Sequence, residues 1–151
     1  MEKWNGFIQG WLGHRNALIE LLGTFKEGQQ DFKAWEQAMS VSELTVHITG
    51  SMEMFVQTVK NGEFTPPPEY PAIETLEQLK ALVQEETSKT KAALEELTQD
   101  QLEKTVDFYG RIMPGIVLLE NAKDHEVHHK GQLFTYARLA GVKELPFFVS
   151  K

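Results

Sequence analysis

The sequence contains no cysteine, which removes disulfides, thiolate metal ligands and a cysteine nucleophile together; any metal this chain holds must take nitrogen and oxygen ligands. Positive charge is also scarce. Fifteen Lys and Arg stand against 22 Asp and Glu, a formal net charge of -7, and no basic patch concentrates the cations, so no nucleic-acid partner is expected. Long apolar runs are missing as well. Nothing approaches the roughly 20 apolar residues of a membrane span, and the N-terminal MEKWNGFIQGWLGHRN interrupts its apolar residues with charge, Gly and His, unlike the apolar stretch of a signal peptide. A cytoplasmic protein with no membrane partner is the expectation. What is present is 151 residues, sufficient for a single domain, 1–151, with its own buried core.

The remaining pattern is helical. Phe7, Trp11, Leu18, Leu21 and Phe25 recur at spacings of three, four and seven, predicting a first helix from about Trp4 to Leu22 with Gly23 as its stop. A polar stretch, Lys26 to Gln37, follows. Ser40 and Glu43 form a capping box with Met39 and Leu44 at the staple positions, so a second helix begins there, with the stripe Val41, Leu44, Ile48, Met52, Phe55 and Val59. It ends at Asn61 and Gly62. From Gly62 to Ile73 the chain carries Pro66, Pro67, Pro68 and Pro71, which exclude a helix. About nine extended residues can span the roughly 28 Å of a 19-residue helix, so this loop can cross a whole bundle.

Thr75 and Gln78 cap a third helix, Leu76 to Leu97, with Leu76, Leu79, Val83, Ala93 and Leu97 inward. Glu86 and Thr90 interrupt that stripe: either they line a pocket or the helix is slightly out of phase. A short helical turn is expected after Thr98, and Val106 to Arg111 reads as a connection too brief for a sheet. A fourth long helix starts near Pro114 and stops before Gly141. No strand is expected, and the fold class is all-α, a four-helix bundle.

The chemistry concentrates in histidine. His125 and His129 are four apart and therefore share one face of the fourth helix. Two imidazoles from one helix need at least one more ligand, and His47, at the edge of the second helix's apolar stripe, is the best placed to turn toward them. His14 lies on the first helix's stripe between Trp11 and Leu18, as a hydrogen-bonded core residue or a pocket-lining one. His128 points about 100° away from the pair and is assigned to the surface. Residues 125–129 also spell H-E-x-x-H, the zincin protease pattern, which is set aside because only 22 residues follow His129 and no downstream third ligand is available. Glu126 is then a group behind the ligands, a general base, or a solvated surface carboxylate.

With His47 in SVSELTVHITGS and with HEVHHKGQLFTYARLAGV near the end, the chain resembles the DinB family, the DinB/YfiT-like metalloenzymes, over nearly its whole length. That resemblance implies that His47, His125 and His129 are the three metal ligands, with Lys130, Gly131 and Gln132 matching the tail of the motif. It also implies up-down-down-up topology, with the second and third helices parallel and joined by a long crossover loop.

Three imidazoles favour one divalent transition metal, zinc or nickel first, and leave positions open for water or a substrate. The expectation is an enzyme acting on a small-molecule substrate, as a metal-activated-water hydrolase or as a transferase using a low-molecular-weight thiol, which is the activity the resemblance implies. The alternative is a non-catalytic metal-binding or stress-related interaction protein. Ile116, Val127 and Phe134 lie roughly opposite the ligand pair on the fourth helix, predicting a homodimer, unless connecting segments cover them.

Overall fold

The computed structural model describes residues 1–150; Lys151, the last residue of the expected domain, lies outside the described residues. Five helices and one hairpin follow in order: α1 (Glu2–Leu22), α2 (Val41–Asn61), α3 (Leu76–Glu96), the short α4 (Gln99–Glu103), strands β1 (Thr105–Phe108) and β2 (Arg111–Pro114), and α5 (Gly115–Leu139). The helix starts are set by side chains. Ser40 accepts the Glu43 N–H at 3.1 Å while the Glu43 carboxylate accepts the Ser40 N–H at 3.1 Å, and Thr75 with Gln78 and Thr98 with Gln101 close the same reciprocal box. Gly62, at φ +74°, terminates α2 in the left-handed conformation.

The hairpin departs from expectation. β1 and β2 pair antiparallel from Thr105–Pro114 to Phe108–Arg111, and Tyr109 and Gly110 turn between them with φ +55° and +84°, the positive values a two-residue type I′ loop requires. Each strand has four residues, and only Val106 is buried, so the alternation that marks a strand is nearly absent. Pro114 ends β2 and caps α5, and Gly115 is the first helical residue.

α1 packs on α3 and α5, and α2 packs on the same two helices, which places α1 and α2 on a diagonal. Two apolar clusters fix the directions. At one end Trp4, Ile8 and Trp11 meet Met52, Val56, Leu94, Leu97, Leu118 and Leu119; at the other Leu18, Leu21 and Leu22 meet Val41, Leu44, Leu76, Leu79, Leu133 and Ala137. The C-terminal halves of α2 and α3 share the first cluster, so these helices run parallel, and the bundle is up-down-down-up. Residues 62–75 make the crossover.

Between the two clusters lies a polar layer, contributed by all four long helices: His14 and Arg15, Thr49 and Glu53, Glu86, Thr87 and Thr90, and His125, Glu126, His129 and Lys130. A buried polar group stays in a fold only if it is hydrogen-bonded. Among the described residues only Ser42 Oγ, near the N-terminus of α2 and outside this layer, is buried without a partner. Among the described residues no helix is long and apolar enough to cross a membrane.

Candidate metal centre

Helix periodicity brings His125 and His129 together, and α2, antiparallel to α5, presents His47 against them. His125 Nε2 lies 3.2 Å from His47 Nε2 and 3.1 Å from His129 Nε2, and one donor atom from each ring lies within 4.8 Å of the others. Nitrogens bound at about 2.0–2.1 Å in tetrahedral geometry sit about 3.3 Å apart, so the donor set fits a single small ion. Gln132 sharpens the arrangement. Its Oε1 lies 2.7 Å from His129 Nδ1 and accepts that N–H, leaving the His129 Nε2 lone pair turned to the other rings. Burial, followed by the neighbouring His129, His47 and His128, lowers His125 to about 4, and burial with His129 lowers His47 as well. A proton is therefore a poor guest between these rings at neutral pH.

Glu126 is not a solvated carboxylate. Its side chain is 1% exposed and forms a bidentate ion pair with Arg15, 2.7 Å from Nε to Oε2 and 2.7 Å from Nη2 to Oε1, while Trp11 Nε1 donates to Oε1 at 3.0 Å. Both oxygens are occupied on the α1 side of α5. One residue away from His125 is 100° around a helix, which turns this carboxylate to α1 while the ring turns to α2. His14 sits apart from the three histidines: Lys130 Nζ donates to its Nδ1 at 2.8 Å, and it lines a separate recess with Gly13, Val149 and Ser150. Burial, then Lys130, lowers its pKa. His128 is exposed, its ring 4.9 Å from that of His129 but outside the three-ring cluster.

Glu86 and Thr90 are both buried inward, so α3 is correctly phased and its polar breaks belong to the interior. Glu86 Oε2 accepts the Tyr70 hydroxyl at 2.8 Å, and Thr90 donates to Glu53 Oε2 at 3.2 Å. Tyr70, in the crossover, packs over Gly50. A Cβ at Gly50 would meet the Tyr70 ring at 3.3 Å, so glycine allows the loop to descend onto α2. Beside His47 this creates a cavity of about 330 Å³, walled also by Met54, Pro67, Pro68, Tyr70 and Tyr109. None of the expected pocket residues Glu86, Thr90 and His14 lines it.

Sequence reasoning missed Arg15, Glu53, Tyr70 and Tyr109. Arg15 had a signal: it stands four after Trp11 and three before Leu18, an inward position where a charge requires a partner. Tyr70 and Tyr109 lie in a loop and a turn, where no periodicity assigns a direction.

Residues 1–150 match the sequence profile of the DinB family. The chain belongs to the DinB family. Across 147 residues, 95% of each chain, it is 38% identical to YjoA of Bacillus subtilis (strain 168), an uncharacterised protein. The crystal structure of a DinB-like protein from that species, YjoA, superposes with a TM-score of 0.86 at 36% identity over 97% of this chain and 99% of the other. A DinB-like protein from Bacillus cereus ATCC 10987 has a TM-score of 0.80 at 21% identity, covering 94% and 95%. YfiT from Bacillus subtilis, described as "a probable metal-dependent hydrolase with an unusual four-helix bundle topology", has a TM-score of 0.74 at 18% identity, covering 94% and 90%. These last two share the DinB fold.

Proposed function

We propose that this DinB protein holds one divalent transition metal, zinc or nickel, through His47, His125 and His129, and uses it to hydrolyse a small molecule. The observation that carries the reading is the convergence of three imidazole nitrogens beside a cavity, with no fourth donor in the cluster among the described residues. A closed structural centre ordinarily has four protein ligands. An ion held by three neutral imidazoles supplies Lewis acidity and acidifies a coordinated water. The chain's own groups do the rest. Gln132 holds His129 in one tautomer, and Arg15 with Trp11 keeps Glu126 engaged on the far side of α5, so no proton transfer is assigned to Glu126. Tyr70, tied to Glu86, holds the crossover over the cavity. The description of YfiT, similar in fold, supports hydrolysis over transfer to a low-molecular-weight thiol.

Elemental analysis of natively purified protein, followed by ester and amide hydrolysis with and without chelator, tests the proposal. Chelator-sensitive turnover is expected. Metal-free protein that cannot be loaded overturns the metal site, and turnover only with added thiol moves the chemistry to transfer. A homodimer is part of the same proposal: Ile116 is exposed and Val127 half-buried, although Phe134 packs inward against the second core cluster. Sedimentation of a Val127→Asp variant, expected to be monomeric, tests it.

A further inference from the structure

The turn of the hairpin places a bulky residue where backbone sterics disfavour one. Tyr109 has φ +55°, a region that Asn, Asp and Gly occupy readily and a large side chain rarely does. Backbone held in such a region gathers at functional sites. The Tyr109 residue is 75% exposed, so core packing does not account for it. Its ring instead lies 5.0 Å from Phe64 and 4.8 Å from Phe108; Phe108 lies 4.9 Å from Phe55, and Phe55 lies 6.2 Å from the His125 ring. A continuous run of aromatic rings therefore leads from the hairpin turn to the histidine cluster. Tyr109 also walls the cavity that His47 lines, and at about 330 Å³ that cavity is at the small end of the roughly 300–1,000 Å³ usual for ligand pockets.

Charge narrows the ligand further. Among the described residues no Lys or Arg lines this cavity, or either of the two recesses that share walls with it. Those recesses carry Asp31 and Glu43 on one side and Glu63 and Asp107 on the other; the neighbouring cations are Lys104, in contact with Gly62, and Lys33, which acts on the Glu43 carboxylate. The whole chain is at -7, so the carboxylates of the adjoining recesses repel an anionic tail, whereas a bound divalent ion attracts an anionic head group at the histidines.

We propose that the cavity beside His47 is the subsite for a neutral aromatic portion of the substrate, which stacks against Tyr109, and that a negative charge on that portion is disfavoured. This rests on the metal reading above. Offset or edge-on ring packing favours an aryl group there, and the surrounding carboxylates disfavour an acid.

The test uses zinc-loaded protein and three hydroxamates that share one metal-binding group and differ only in the tail: acetohydroxamate, benzohydroxamate and 4-carboxybenzohydroxamate. Calorimetry is expected to give benzohydroxamate about tenfold tighter binding than acetohydroxamate, with the carboxylated compound weaker than benzohydroxamate. In Tyr109→Asn, whose new side chain suits the left-handed backbone, zinc content and Tm are retained and the preference for the aryl tail is lost. An equal benzohydroxamate preference in Tyr109→Asn, no preference in the parent, or tighter binding of the carboxylated tail overturns the subsite. Failure of the parent protein to retain zinc overturns instead the metal site on which it rests.

Discussion

α5 carries two pairs of functional side chains at the same spacing, offset by one residue, and they have opposite fates. His125 and His129 face α2, where they meet a third neutral ring and no counter-charge. Glu126 and Lys130 face α1, where Arg15 and Trp11 saturate the first while His14 and the Phe148 carbonyl accept from the second. Both pairs lie in the polar layer between the apolar clusters. One side is internally satisfied; the other gathers ring nitrogens within 4.8 Å of one another, the arrangement to which the proposal assigns a cation. The H-E-x-x-H string thus reads as one motif in the sequence and as two unrelated devices in the bundle.

Breaking the satisfied side should have the largest effect. Arg15→Met strands a buried carboxylate and is expected to cost about 3–5 kcal/mol in urea denaturation, whereas Arg15→Met with Glu126→Leu recovers most of it. A double variant as unstable as the single would show that the ion pair is not what holds this side. On the open side, His47→Ala, His125→Ala and His129→Ala are each expected to weaken metal binding by more than the ~100-fold upper range for outer partners while remaining helical, and His14→Ala and His128→Ala to keep the metal. Metal content after dialysis of all five variants decides. Gln132→Ala removes only the orienting acceptor and is expected to weaken binding about tenfold by competition with a chromogenic chelator.

A further effect concerns pH. Unfolded histidine takes its proton near 6.5, but folded His125 resists until about 4, so between these values the unfolded chain binds more protons. Stability of the metal-free protein is therefore full above about pH 6.5 and declines as pH falls toward 4. His125→Ala should flatten that slope. The same depression moves acid release of the metal below the pH near 6 that unperturbed histidines would set; a release midpoint at or above 6 would contradict it.

Much of this was legible beforehand because helices advertise themselves locally. The capping residues Ser40, Glu43, Thr75 and Gln78 behave as their spacing requires, and the prolines between Gly62 and Ile73 foretold the crossover. His47 and His125 were paired across 78 positions by helical wheels together with the family resemblance. The hairpin was missed because its four-residue strands bury only Val106 and its turn is Tyr-Gly, where Asn-Gly is the familiar signal. The sequence leaves Glu126 open between a solvated carboxylate, a base and a group behind the ligands because its partner Arg15 is 111 residues away, and long-range ion pairs leave no periodic trace. Glu53 stayed hidden for the same reason: its acceptor role depends on Thr90 in another helix.

The crossover has a consequence for how this architecture can diversify. The helices that present His47, His125 and His129 are braced by two apolar clusters and tolerate little change, whereas four of the nine residues that wall the cavity, Pro67, Pro68, Tyr70 and Tyr109, come from the crossover and the hairpin turn, segments that bear little of the core. Surface connections of this kind accept insertion and replacement far more readily than packed helices. Ligand preference can therefore drift in part independently of the three-histidine cluster, and two descendants of one ancestor can keep identical imidazoles while recognising different molecules.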